Sequence, residues 1–78
     1  MGPLVLPSAR KHGVPDEDIV HALDRPMWTT TDPEDEEVMM IVGPDRAGNL
    51  VEVGVVDSDA GPVVIHALRP ARRKFLPR

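Results

Sequence analysis

The residues of this chain whose types could do chemistry are a few histidines and a group of cations. Lys11 and His12 stand together in "ARKHGV" (9–14), and His66 precedes a run of basic residues in "IHALRPARRKF" (65–75). Imidazoles exchange protons near neutral pH, and guanidinium or ammonium groups hold phosphate oxygens. These types suit RNA cleavage by the adjacent 2′-OH, which needs a base, an acid and cations around the phosphorus.

A ribonuclease hypothesis assigns these residues to two roles. His66 is expected as a general base or acid, His12 is expected to orient or share the proton transfer, and Lys11 beside it is expected to hold the scissile phosphate. The residues expected to hold the phosphate are Arg46, Arg69, Arg72 and Arg73. The two basic regions can act together only if the fold brings the segment around His12 to the end of the last strand.

Other kinds of chemistry lack their usual motifs. The chain has no cysteine, which excludes disulfides and cysteine-based metal or redox sites. It contains no H-E-x-x-H, no nucleotide-binding glycine motif and no G-x-S-x-G. The acidic run "DPEDEE" (32–37) lacks the ligand spacing of a calcium loop and is interpreted as a solvated turn. We therefore expect neither a metal nor a cofactor.

Length and composition predict one small domain over residues 1–78, with residues 1–8 as an extended leader. Only Trp28 and Phe75 are aromatic, so the core is thin, which favours a homodimer or another oligomer. "GPLVLP" is too short for a signal peptide, and no apolar run is long enough to cross a membrane. A soluble cytoplasmic protein is the expectation.

Charge is strongly segregated along the chain. Residues 32–59 carry nine acids and one base, a net charge of −8, whereas residues 60–78 carry five bases and no acid. The basic end is either a phosphate-binding patch or a solubilising tail.

The secondary-structure elements that position these residues are predicted from the prolines, the acidic residues and the apolar periodicity. Pro15 and the acids after it predict a helix of about nine residues that ends before Pro26, with Ile19 and Leu23 on its apolar stripe. Strands are then predicted over 27–31, 38–42, 50–56 and 63–68, joined by short loops. Val51, Val53 and Val55 alternate onto one face, which we expect beneath the helix. The predicted class is α+β: an N-terminal helix packed on a four-stranded antiparallel meander, followed by a basic C-terminal tail.

Three segments in order resemble the BrnT family of type II toxins. "KHGV" (11–14) is close to the family's "KHGV" motif, "VGPDRAGNLVEVGVV" (42–56) is similar to "G-R-x-x-x-G-R-L-L-x-V", and "VVIHALRPARRKF" (63–75) is similar to "R-I-I-S-A-R-x-A-x-x-x-E". Lys11 and His12 match the first motif, and Ala67 matches the alanine of "S-A-R". The chain departs from the family at Pro44, where the pattern has arginine, and at His66 and Leu68, where it has serine and arginine.

This resemblance implies a RelE-like fold, endoribonuclease activity on an RNA substrate, and a cognate antitoxin protein with which the chain forms a hetero-oligomer. A second hypothesis is a non-catalytic protein-binding module of the same fold, an inactive relative of such toxins. The missing arginines and the acidic middle segment motivate it. A ribonuclease would degrade RNA and inhibit growth, and the module would do neither.

Overall fold

The computed structural model describes residues 2–77. Along the chain it contains five strands, two α-helices and one short 3₁₀ helix. Their bounds are β1 Leu4–Val5, α1 Pro7–Arg10, α2 Asp16–Asp24, β2 Trp28–Asp32, β3 Asp35–Pro44, β4 Leu50–Ser58, β5 Gly61–Leu68 and the 3₁₀ helix Arg73–Phe75. None of the helices in this part of the chain is long and apolar enough to cross a membrane.

The predicted fold class is wrong. The protein is mostly β, with a five-stranded mixed sheet of order β1-β5-β4-β3-β2 in which β1 runs parallel to β5. This differs from the predicted RelE-like arrangement, in which one N-terminal helix packs on a four-stranded antiparallel meander and a basic C-terminal tail follows. The segment 1–8, expected as a leader, supplies β1 and the start of α1, and Met1 lies outside the described residues. A strand of two residues between prolines has no period, so alternation could not reveal it.

The sheet has one face covered by the two α-helices, which we call the first face. Its buried residues on the strands are Val5, Val51, Val53, Val55, Val64 and Ala67, and the helical side contributes Ala9, Val14, Ile19 and Ala22. The prediction that the valines of β4 lie beneath a helix is confirmed. Burial of these apolar side chains supplies much of the driving force for folding.

Helix α2 reaches the sheet very closely at its C-terminal end. Gly43 of β3 lies beneath this end, and a Cβ there would overlap the carbonyl oxygen of Ala22. The absence of a side chain at this position therefore allows α2 to rest on the backbone of β3. Pro15 precedes the first helical turn with extended backbone, and the acids that follow it favour the positive end of the helix dipole.

The C-terminal segment covers the opposite face of the sheet, which we call the second face. The Ala71 N–H donates to the Leu50 carbonyl at 2.9 Å, and Phe75 is buried against Val38, Met40 and Val42. Lys74 lies over the Phe75 ring, with Nζ 5.0 Å from its centroid. Residues 69–77 are thus part of the packed domain, because Phe75 contributes apolar area that a solvated tail would leave in water.

Candidate functional site

A buried carboxylate on the second face organises the first candidate site. Glu52 is 0% exposed and is the third residue of the valine-rich strand β4. Its oxygens accept hydrogen bonds from the Arg72 backbone N–H at 2.7 Å and from the Arg72 guanidinium at 2.7–3.1 Å. His66 Nε2 approaches the same carboxylate at 2.9 Å. We call Glu52, His66 and Arg72 the Glu52 cluster.

Strand register brings His66 to this carboxylate. In the β4–β5 ladder Gly54 pairs with His66 and Glu52 with Leu68, and the register shifts by one residue immediately after Gly54. His66 and Glu52 are therefore diagonal neighbours on the second face. A Cβ at Gly54 would lie 3.1 Å from the His66 Cβ, so the glycine makes room for the imidazole.

Electrostatics identify which nitrogen of His66 is available for chemistry. Burial would raise the pKa of Glu52, but hydrogen bonds from Arg72 and His66 outweigh it and hold that pKa below its ordinary value. An ionised carboxylate only accepts hydrogen bonds, so Nε2 of His66 carries the proton that it shares with Glu52. In a neutral imidazole this leaves Nδ1 as the nitrogen that can accept a proton.

His12 lies beside the Glu52 cluster although 54 residues separate it from His66 in sequence. It follows α1, and its ring centroid is 5.8 Å from that of His66, with the two rings inclined at 76°. The His66 side chain is 24% exposed, and His12 is exposed. The two imidazoles therefore form a pair that solvent can reach.

A cavity of about 360 Å³ opens next to His66 and Arg72. Its remaining lining is acidic on one side and apolar on the other: Asp32, Glu34 and Asp35 from the β2–β3 hairpin, with Val38, Met40 and Ile65. Asp32 and Glu34 raise the pKa of Arg72 further, after the larger effect of its hydrogen bond to Glu52. The cavity thus combines a cation and an imidazole with nearby negative charge.

A second group of ion pairs lies around the β3–β4 loop, just before β4 begins, and we call it the Asp18 cluster. Its members are Asp18 of α2, Asp45 and Arg46 of the β3–β4 loop, and Arg69, which follows β5. Arg69 bridges the two carboxylates at 2.9 and 2.8 Å, and Arg46 Nε binds Asp18 at 2.8 Å. Hydrogen bonds from Arg46 hold the pKa of Asp18 well below its ordinary value. This cluster lines a depression of about 480 Å³.

The residues predicted for the site therefore fall into three sets. The fold brings His12, His66 and Arg72 together. Arg46 and Arg69 belong instead to the Asp18 cluster. Lys11, next to His12, and Arg73, next to Arg72, are exposed and make no ion pair with any residue between 2 and 77.

Sequence reasoning missed the three buried carboxylates that hold the arginines. Glu52 was assigned no role, although a lone acid inside "LVEVGVV" is a signal, because a buried carboxylate needs a partner. Asp18 was interpreted only as a helix-dipole residue, and Asp45 only as part of a loop. Asp45 also accepts the Ala47 and Asn49 backbone N–H groups, which closes the turn before β4.

His21 has a structural role. Its Nδ1 lies 2.8 Å from the Pro44 carbonyl oxygen, which ties α2 to the end of β3. His21 is half-buried at this contact.

No protein-family model, curated protein or solved structure matches this chain. Within residues 2–77, no group of three or more histidine, cysteine or acidic side chains has an arrangement that could hold a metal ion. The function must therefore be inferred from the geometry of the two clusters.

Proposed function

We propose that this chain is a small ribonuclease that cleaves RNA through its 2′-OH, with His66 and His12 as the acid–base pair. The observation that carries the proposal is the 5.8 Å approach of the two rings, one of them held by a buried carboxylate. Two imidazoles at this separation are within reach of the two oxygens that exchange protons in such a reaction. The "KHGV" resemblance to BrnT toxins, residues 11–14, supports the same activity.

The proposed reaction needs no group beyond the chain and its substrate. Nδ1 of His66 takes the proton of the 2′-OH, and the 2′ oxygen attacks the adjacent phosphorus. The bond from phosphorus to the 5′ oxygen breaks, and His12 gives its proton to that leaving oxygen. The products are a 2′,3′-cyclic phosphate and a 5′-OH, and a proton exchange with water restores both histidines.

The neighbouring charges have distinct roles in this proposal. Glu52 is a positioning residue, since its hydrogen bond with Nε2 fixes the His66 ring. Lys11, Arg72 and Arg73 supply positive charge for the phosphate oxygens. Arg46 and Arg69 have a structural role in the Asp18 cluster and lie outside the proposed reaction.

With this activity we propose the biological setting that the resemblance implies. A ribonuclease acting on cellular RNA harms the cell that makes it, so a cognate antitoxin protein is expected to hold it inactive in the cytoplasm. Expression of the chain alone should then inhibit growth, and the protein encoded by a neighbouring gene should relieve the inhibition.

The direct experiment is RNA cleavage by the purified chain in EDTA. His66→Ala and His12→Ala should each lower the rate by ~10²–10⁴, the usual contribution of an acid–base group. His21→Gln is the matched control, because His21 lies on α2 at the Pro44 contact and should leave the rate near that of the unmodified protein. Equal rates for all three variants would exclude the two histidines from the reaction.

A second candidate function, a non-catalytic protein-binding module, is favoured by a different observation. Arg46, Arg69 and Arg72 are each already paired with a carboxylate, and three more acids line the cavity beside His66. These negative charges oppose the binding of a phosphate backbone. Folded protein that neither degrades RNA nor inhibits growth would favour the module over the ribonuclease.

A further inference from the structure

Part of the first face is left uncovered by the helices. Helix α2 lies over the Gly43 end of β3, and the opposite end of β3 adjoins the β2–β3 hairpin. Met39 in this part is 40% exposed, although β3 has a neighbouring strand on each side. Met39, Ile41 and Val55 form the floor of a shallow groove of about 360 Å³.

The rim of this groove is acidic. Glu36, Glu37 and Asp57 complete its lining, and we call the six residues together the acidic groove. Four more acids lie in the two hairpins at the same end of the sheet: Asp32, Glu34, Asp35 and Asp59. None of these seven carboxylates lies within 4.0 Å of a basic nitrogen belonging to residues 2–77.

The acids around the groove differ from the buried acids in that they lack basic partners within the described part of the chain. The buried acids Asp18, Asp45 and Glu52 are each paired with arginine, whereas the acids around an apolar floor are left without cations. Like charges on neighbouring strands repel one another, and a cation between them removes that cost. The same charges repel nucleic acid and anionic lipid, which leaves a cationic protein as the complementary partner.

We infer that the acidic groove binds a polypeptide segment that presents apolar side chains and lysine or arginine side chains together on one face. The apolar side chains would cover Met39 and Ile41, and the cations would meet Glu37 and Asp57. This surface is separate from the Glu52 cluster, and the inference holds whether or not the chain cleaves RNA.

The test uses fluorescence anisotropy of a labelled synthetic peptide in which leucine and lysine alternate at every second position with threonine between them, so that an extended chain presents both on one face. Its control peptide has glutamate in place of every lysine. The lysine peptide should bind, and added salt should weaken the binding, because exposed charges are screened. The glutamate peptide should not bind. Equal binding of the two peptides, or no binding of the lysine peptide to the folded chain, would overturn the inference.

Variants locate the binding surface. Glu37→Lys with Asp57→Lys should weaken binding at least ~10-fold, whereas the charge-matched pair Glu17→Lys with Asp24→Lys on α2 should change it little, since short-range complementarity decides affinity. Met39→Ser should also weaken binding, with no change in charge. Equal losses in the two charge-reversed pairs would show a general effect of net charge and overturn the assignment.

Two further measurements separate the alternatives. If a second copy of the chain occupies the groove, the protein without peptide should associate in sedimentation experiments and Met39→Ser should abolish the association, which would overturn the choice of partner. RNA cleavage by the Glu37 and Asp57 variants should equal that of the unmodified chain. Loss of peptide binding with cleavage unchanged would therefore support the surface without bearing on the ribonuclease proposal.

Discussion

Arg72→Ala should destabilise the fold strongly, because it leaves Glu52 as a buried charge without its guanidinium. The carboxylate would keep two donors, the backbone N–H at position 72 and His66 Nε2. It would lose the Nε and Nη2 contacts, and Phe75 would lose the guanidinium that lies 5.3 Å from its ring centroid.

The magnitude follows from the number of donors lost and from solvent access. Removing one partner of a buried ion pair costs about 3–5 kcal/mol. Here two donors remain and the Arg72 side chain is 47% exposed, so water can replace part of it. We therefore expect a loss of about 2–3 kcal/mol. Since a domain of this size loses about 4–8 °C in Tm per kcal/mol, Tm should fall by about 10–20 °C.

Urea and thermal unfolding followed by circular dichroism measure this loss, with Arg73→Ala as the matched control. Arg73 is the neighbouring exposed arginine, and its removal should change stability by less than about 0.5 kcal/mol. The difference between Arg72→Ala and the unmodified chain should narrow as the pH falls towards about 4, because an unpaired buried Glu52 becomes neutral more readily. Equal stabilities of the two arginine variants at neutral pH would refute the assignment of Arg72 to a buried charge.

Three other perturbations test the packing. Folding lowers the pKa values of the paired carboxylates Asp18, Asp45 and Glu52. The stability that these carboxylates contribute is therefore fully present above their ordinary pKa of about 4 and is lost as the pH falls through their lower pKa in the folded chain. A free energy of unfolding that stays constant down to about pH 2 would contradict this pairing. Gly43→Ala should cost about 3 kcal/mol in urea unfolding, since backbone atoms of α2 block a Cβ, whereas Gly2→Ala, with its nearest atom 3.9 Å away, should be neutral. Phe75→Ala should lower the free energy of unfolding by about 3–4 kcal/mol, because Phe75 is buried. If its Tm in a thermal scan equals that of the control Pro77→Ala, at an exposed position, the C-terminal segment does not pack on the sheet.

Local signals in the sequence predicted several elements but could not predict how they assemble. Pro15 and its acids place the start of α2 within one residue, and the alternating valines of β4 identify the face beneath the helices. Both features depend on neighbours in sequence. The pairing of Leu4 and Val5 with Val63 and Val64 depends on residues about 60 positions away, so the fifth strand and the mixed sheet were missed.

In the candidate site, too, residue types could be predicted from the sequence but their proximity could not. The residue types of His12, His66 and Arg72 suggested proton transfer and phosphate binding, but their proximity depends on the β4–β5 register and on where α1 meets β5. Arg69 was expected on the phosphate, yet directly after the end of β5 it binds Asp18 and Asp45 instead. Arg69 is the first residue after β5, and its side chain joins the Asp18 cluster rather than the Glu52 cluster. No local sequence pattern predicts which of the two clusters it joins.

The most direct test of the central claim is product analysis of a short RNA incubated with the purified chain in EDTA. The account predicts cleavage that leaves a 2′,3′-cyclic phosphate, no cleavage of the matching oligonucleotide with 2′-deoxyribose throughout, and loss of the products in His66→Ala prepared in the same way. Intact RNA after incubation with folded protein in molar excess, or cleavage of the 2′-deoxy oligonucleotide, would contradict it.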